Sequence, residues 1–225
     1  SIWMTGAKMI EVETAAEMDA RVTPKTGMIA VWGEVLDRSN IKLDDIVAIG
    51  KKHGIPVMVD AAAERPDVPD RYIEAGCDLV CYSGGKCLRG PQSAGILLGR
   101  KDLVQAAFLN IAPHHALGRP MKVGKEEILG ALAALEMWVH GRDHEVEWAE
   151  WERKLNHIAG AIADIPTVET EIVEPTRRSN VAPRLAIRWD SATVNISPGE
   201  VSDKLYEGEP AIEMPSNRRG LSIMS

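Results

Sequence analysis

The run Ile55-Pro56-Val57-Met58-Val59-Asp60 constrains this chain more than any other stretch of its 225 residues. Apolar and polar residues do not alternate in it. A strand built from it buries both faces, which is the pattern of a parallel sheet lying between helices. The single proline stands near the start, where it interrupts no ladder. Similar signals recur on either side. Thr14 to Arg21 reads as a short polar helix and Thr26 to Trp32 as an apolar strand. Leu43 to His53 reads as a helix with Leu43, Ile46, Val47 and Ile49/Gly50 on one face. Gly54 follows it, where a helix-ending glycine belongs. Pro69 to Ala75 gives a brief helix stopped by Gly76, Asp78 to Ser83 the next strand, and Ser93 to Leu98 another beyond a glycine-rich loop. Strand, helix, strand at this spacing predicts βαβ units and a mainly parallel sheet, an α/β architecture.

The rest of the chain reads differently. Gly124 to Val139 is a strong helix with Glu126 and Glu127 in its first turn, where the helix dipole favours anions. A second runs from about Asp143 to Asp164, carrying Trp148, Trp151, Leu155 and Ile158 at helical spacing. Alternating segments follow at Val168 to Val173 and Arg184 to Asp190, then a polar helix around Pro198 to Tyr206 and short strands near Ala211 and Leu221. Two helices over a small antiparallel sheet predict a separate α+β unit. The boundary is expected between Gly118 and Gly124, dividing residues 1–120 from 121–225. At roughly 150 residues per domain the length corresponds to one and a half domains. The opening stretch Gly6 to Val12 reads like the end of a βα unit, and the closing stretch Leu221 to Ser225 like a strand with nothing after it. Together the two ends suggest a piece of something larger.

Charge narrows the partners. Lys and Arg number 26 against 33 Asp and Glu, a net charge of −7. An acidic chain lacks the positive field that binds bare nucleic acid or an anionic membrane. No apolar stretch approaches the 18 residues of a spanning helix, and no charged-then-apolar signal stands at the start. A soluble, cytoplasmic protein is therefore expected. Cys77, Cys81 and Cys87 are odd in number and crowded together, unlike a secreted disulfide framework. They contain no CxxC pair and have no neighbouring histidine, so no metal site is assigned. Reduced thiols beside a functional loop are expected.

The chemistry-bearing residues stand at the ends of two consecutive strands, where open parallel sheets bind ligands. Asp60 closes the apolar run and precedes three alanines. Lys86 lies in Ser83-Gly84-Gly85-Lys86-Cys87-Leu88-Arg89-Gly90, directly after the next strand. The interval of 86 − 60 = 26 residues is about one crossover, which directs both side chains into one crevice. A lysine that forms a Schiff base and a carboxylate that pairs with a pyridinium nitrogen are what a pyridoxal phosphate site requires. Ala62 is small enough for a flat ring to lie against it, and glycines beside the lysine let the loop turn sharply. Spacing alone leaves other readings open. A strand-end Asp is often a helix cap or a surface residue, and lysines in glycine-rich loops are common. A phosphate-binding GxxxxGK[ST] loop fails at Val80 and Cys87, and no GxGxxG stands in this loop.

The ordered motifs Val59-Asp60-Ala61-Ala62-Ala63-Glu64, Gly76-Cys77-Asp78-Leu79-Val80, Ser83-Gly84-Gly85-Lys86 and Gly90-Pro91-Gln92-Ser93-Ala94-Gly95 resemble those of fold-type-I pyridoxal phosphate enzymes. Within that class they are most similar to the selenocysteine synthase (L-seryl-tRNA(Sec) selenium transferase) and D-glucosaminate-6-phosphate ammonia-lyase branch. Gly118 to Glu127 matches that branch's linker after the cofactor loop. The resemblance spans about residues 24 to 140. It implies that Lys86 carries the cofactor and that Asp60 contacts the pyridine nitrogen. Ser83 is implied to assist at the phosphate or the lysine, and Gln92 to lie near the active site, facing a partner subunit. Arg119 and Lys122 are the anion-binding candidates, since an arginine fork suits a carboxylate or phosphate; a solvated basic linker is the equal alternative. His114-His115 reads as an exposed loop pair ahead of an acid/base role. The resemblance implies a further half-domain holding the cofactor phosphate ahead of the residues given, so a truncated or partly observed chain is expected.

The resemblance thus implies a pyridoxal-phosphate-dependent lyase, with a small amino-acid-type substrate and a homo-oligomer of two or more subunits. Lys86 would remove the α-proton of an amino acid or phosphorylated amino sugar acid, a β-substituent would leave, and a keto acid and ammonia would result. Selenium transfer to seryl-tRNA is the alternative, disfavoured by the acidic charge; racemase and aminotransferase chemistry share the same first steps. A non-catalytic scaffold would need neither Asp60 nor Lys86.

Overall fold

The computed structural model describes residues 2–217 and 220–224. Ser1, and Ser225 at the end of the expected terminal strand, lie outside the described residues. The chain divides into two compact units. The first runs to Gly141 and also takes in Arg177–Asn180; the second holds the remainder.

In the first unit the elements run α1 (Ala15–Arg21), β1 (Ile29–Trp32), α2 (Gly33–Leu36), α3 (Leu43–His53), β2 (Val57–Asp60), α4 (Arg71–Glu74), β3 (Leu79–Ser83), β4 (Gly95–Gly99), α5 (Lys101–Leu109) and α6 (Lys125–Glu136). The sheet order is β1-β2-β3-β4. The first two pairings are parallel and β3 with β4 is antiparallel, with Ser83 opposite Gly95 and Leu79 opposite Gly99. A parallel return needs a crossover of a dozen or more residues, usually helical, and the loop 84–94 that carries Lys86 closes a hairpin instead. The sheet is therefore mainly parallel with one antiparallel edge.

Helix α3 follows from its sequence: Ile46, Val47, Ile49 and Gly50 are buried, and Gly54 ends it in the left-handed conformation at φ 67°. That face packs on Ile29, Val31, Val57, Val59, Val80 and Tyr82 of the strands, joined at the edge by Ala15 and Met18 of α1. The other sheet face differs from the two-sided burial expected of the apolar runs. Ala30 and Trp32 are exposed and Met58 is half-buried, because α1 and α3 both pack on the same core. Helix α5 has no counterpart among the elements read from sequence; its N-cap residue, Arg100, makes no side-chain capping bond.

The unit ends later than the expected boundary between Gly118 and Gly124. Helix α6 stays with it because Gly130 leaves room only for Pro91, and Gly90 sits against Ala131 and Ala134. Beyond α6 a π-helical turn, Met137–Gly141, buries Trp138. Its indole N–H donates to the Pro66 carbonyl at 2.8 Å, and the Arg65 guanidinium lies 5.5 Å from its ring centroid.

The second unit comprises α7 (His144–Ile162), β5 (Glu169–Val173), β6 (Arg184–Arg188), α8 (Ser191–Val194), α9 (Pro198–Tyr206), β7 (Ser216–Asn217) and β8 (Gly220–Met224). Its antiparallel sheet has the order β5-β6-β8-β7. Leu155 of α7 packs with Leu185, Ile187 and Leu221. Asp143 caps α7, and a Ser197–Glu200 capping box starts α9. The stretch around Ala211 forms no strand; pairing begins at Ser216.

Candidate active site

The carboxyl ends of β1, β2 and β3 form one row. Trp32 is the register partner of Asp60, and Asp60 that of Cys81. Residues paired across parallel strands project from the same face, so these three side chains stand side by side on the sheet's more open face. Trp32 is 61% exposed there. The Asp60 carboxylate is exposed at the strand end. Its Oδ1 accepts the Ala62 backbone N–H at 3.0 Å, a turn that an Asp at this place favours, and the Cys81 thiol at 3.8 Å. Its Oδ2 takes no hydrogen bond among the described residues.

Backbone bonds tie the lysine loop to this row. The Ser83 N–H donates to the Ala62 carbonyl at 3.2 Å and the Ala61 N–H to the Cys81 carbonyl at 3.0 Å. The Cys87 thiol donates to the Ala63 carbonyl at 3.4 Å, so the residue after Lys86 is held against the segment after Asp60. The loop is closed on itself. Gly84 N–H reaches Ala94 O at 2.9 Å, Gly90 N–H reaches Gly84 O at 2.6 Å, and Arg89 N–H reaches Lys86 O at 2.9 Å. Gly85 permits its tightest approach. A Cβ there would lie 2.7 Å from Gln92 Cα and 2.9 Å from Gln92 Oε1. Lys86 is exposed, and its amine makes no ion pair or hydrogen bond among the described residues.

The structure therefore brings together Asp60, Ala62, Ser83, Lys86 and Gln92. Arg119 and Lys122 stand apart in the contacts they make: Arg119, in a 3-10 turn, donates to the Pro113 carbonyl, and both residues are exposed. No hydrogen bond or ion pair among the described residues joins them to the strand ends. His114 Nδ1 lies 3.2 Å from the Phe108 carbonyl, with its ring edge-on to Phe108.

Three features beneath the site have no sequence signature. Glu64, four residues after Asp60, is buried and accepts the Tyr72 hydroxyl. Burial pushes the Glu64 carboxyl up, and burial together with the Glu64 charge pushes the Tyr72 phenol up. The segment Arg177–Asn180 returns to the same place. Asn180 N–H donates to Ala63 O at 2.9 Å, Ser179 bridges to Glu64, and Arg177 and Arg178 lie 3.6 and 3.3 Å from the carboxylates of Glu34 and Asp37. The third is the Cys81 thiol on Asp60, its register partner: cysteines beside the loop were expected, but none was paired with the aspartate.

The donor set fits pyridoxal phosphate. An amine without an ionic partner suits covalent attachment of an aldehyde, and a carboxylate oxygen left open suits a pyridinium N–H. Ala62, half-buried between them in sequence, presents only a methyl group. Among the described residues no group of three or more His, Cys, Asp or Glu is placed to hold a metal ion. No described helix is long and apolar enough to cross a membrane.

A sequence profile of the family described as SelA, L-seryl-tRNA selenium transferase, matches residues 34–149, just over half of the chain. The chain is 35% identical over 175 residues to a 5'-C-glycyluridine monooxygenase-decarboxylase from a Streptomyces species, covering 78% of this chain and 42% of that protein. It is 27% identical over 219 residues to the D-glucosaminate-6-phosphate ammonia lyase of Salmonella typhimurium, covering 94% of this chain and 56% of that one. The solved structure of a D-glucosaminate-6-phosphate ammonia-lyase superposes with a TM-score of 0.78 at 25% identity, over 98% of this chain and 59% of that one. The chain spans about half the length of the curated relatives it matches.

Proposed function

The chain belongs to the L-seryl-tRNA selenium transferase family and has the fold of the fold-type-I pyridoxal phosphate enzymes, and from that membership we propose that it serves a pyridoxal-phosphate-dependent lyase. The reaction is elimination of a β-substituent from an amino acid or phosphorylated amino sugar acid, giving a keto acid and ammonia. One observation carries this reading: a Lys86 amine and an Asp60 oxygen, neither with a partner among the described residues, stand on neighbouring segments after β2 and β3 that are hydrogen-bonded to each other. The likeness in fold to a D-glucosaminate-6-phosphate ammonia-lyase supports the reaction class.

Pyridoxal phosphate, when bound, supplies an electron sink for negative charge developed at the substrate's α-carbon. Lys86 Nζ would hold the cofactor and would accept the proton from the substrate's α-carbon. Asp60 Oδ2 would accept the hydrogen bond of the ring N–H. The Ala62 methyl gives the flat ring a surface free of competing polar groups. Ser83 and Gln92 flank the lysine and supply neutral hydrogen-bonding groups, and Arg119 and Lys122 are assigned to the substrate's anionic group. The enzyme is assigned to the cytoplasm as a homo-oligomer.

Incubation with pyridoxal phosphate, borohydride reduction and peptide mass spectrometry should place a label on Lys86. Lys86→Ala should take none. Amino acids and phosphorylated amino sugar acids should then release ammonia and keto acid in the full-length protein. The second reading, selenium transfer to seryl-tRNA, is favoured by the name of the matching family. The net charge of −7 opposes a tRNA partner. Retention of seryl-tRNA on the protein at 0.15 M salt, with no ammonia release from any free amino acid, would decide for it.

A further inference from the structure

We infer that Cys81 is a positioning residue for Asp60: its thiol and the Ala62 amide both donate to Oδ1, leaving Oδ2 as the oxygen offered to a ring N–H. The inference rests on the reading of Asp60 as the cofactor's carboxylate partner. It adds to that reading a residue the pyridoxal site does not otherwise use.

The geometry behind it is local. Cys81 and Asp60 are register partners on adjacent parallel strands, so their side chains leave the sheet on the same face. A carboxylate held by one hydrogen bond still turns about its final torsion, which is broad for sp³–sp² bonds. A second donor from a different strand restricts that turn. The Ala62 bond lies within Asp60's own turn; the Cys81 bond ties the carboxylate to β3, the strand that leads into the Lys86 loop. The thiol is suited to donate and not to compete as an anion. Burial and the Asp60 charge push its pKa up to about 11, so it keeps its proton at neutral pH. Cys77 is buried, and the Cys87 thiol donates to the Ala63 carbonyl.

The test compares wild type, Cys81→Ala and Cys81→Ser in the full-length protein. Its readouts are the cofactor dissociation constant and the pH midpoint of the bound cofactor's absorption. A carboxylate free to turn, offering Oδ2 in about a tenth to a third of the population, raises the dissociation constant about three- to tenfold. Cys81→Ala should show that rise and a displaced midpoint with an unchanged melting temperature. Cys81→Ser, which keeps a donor, should stay within about twofold of wild type. Wild-type values in Cys81→Ala overturn the inference, as does a Cys81→Ser variant as weak as Cys81→Ala. A second arm needs no cofactor: site-resolved iodoacetamide alkylation of Cys81 against pH, in wild type and Asp60→Asn. Removing the carboxylate charge should lower the alkylation midpoint. An unchanged midpoint overturns the contact itself. Failure of wild type to bind pyridoxal phosphate, with the alkylation shift present, counts against the proposed function and leaves the thiol–carboxylate contact standing.

Discussion

Tyr72 donates its hydroxyl to the Glu64 carboxylate, 2.8 and 2.7 Å from the two oxygens, where Glu64 is only 4% exposed. The pair lies directly under the strand ends that carry the site. A Cβ on Gly33, the residue after Trp32, would land on Glu64 Oε1, 2.9 Å from the Tyr72 hydroxyl and 3.1 Å from the Asp60 carbonyl oxygen. The Arg71 guanidinium stands 4.9 Å from the Tyr72 ring centroid. A buried carboxylate is tolerated because it is hydrogen-bonded and has cations nearby.

Tyr72→Phe removes the donor and leaves the carboxylate buried. The cost of such an orphaned group is about 1–3 kcal/mol, and more when it is charged. Urea unfolding at pH 7 should show that loss. Glu64→Gln, which keeps a partner for the hydroxyl, should lose less than Tyr72→Phe.

The same carboxyl gives the fold a pH dependence of known sign. Burial raises the folded-state pKa of Glu64 above its unfolded value. Its contribution is therefore fully present below the unfolded pKa and fades as pH rises through the folded one. Other carboxylates, Asp190 and Glu200 among them, are lowered by hydrogen bonds and act in the opposite sense. The measurement that isolates Glu64 is the difference in unfolding free energy between wild type and Glu64→Gln. That difference should turn against wild type as the pH rises above the ordinary glutamate range. A difference that stays flat would remove Glu64 from the account.

Gly33→Ala tests the close approach above this pair. Overpacking of this kind costs about 1–3 kcal/mol. Because the added methyl meets both Glu64 and the Asp60 carbonyl, thermal stability and cofactor affinity should fall together. Separate loss of either one would mean the pair and the site are not mechanically linked.

Much of this was readable in the residues, for identifiable reasons. Helix α3 spans the expected residues 43–53 because an amphipathic face and a left-handed Gly54 mark both its stripe and its end. The adjacency of the Asp60 and Lys86 segments was legible because consecutive strands one crossover apart bring their carboxyl ends together. The antiparallel turn of β4 was not, since the strand Gly95–Gly99 carries no mark of its direction and only loop length decides it. Nor was the boundary at Gly141, which depends on Trp138 reaching back to Pro66 across 72 residues. The Tyr72–Glu64 bond and the return of Arg177–Asn180 to Ala63 and Glu64 are likewise long-range pairings between residues with no shared motif.

The Lys86 loop yields the sharpest separation of fold from function. Gly85 is exempt from a side chain because Gln92 Cα would be 2.7 Å away, and backbone cannot move aside as a flexible side-chain tip can. Gly85→Ala must therefore push the 84–94 loop off Gln92 and carry Lys86 with it. The core strands do not depend on that loop: Val57, Val59 and Val80 are buried against α3 in one cluster. The expected outcome is a folded protein, with circular dichroism unchanged and a melting temperature within about 5 °C of wild type. Its pyridoxal phosphate affinity should be lower by about tenfold or more, since misplacing a reacting group by about 1 Å is costly. Gln92→Ala serves as the companion variant. It removes the Oε1 contact but leaves the backbone clash, so combining it with Gly85→Ala should not restore cofactor binding. Recovery of affinity in that double variant would show that the glutamine side chain, and not the backbone of the loop, sets the position of Lys86.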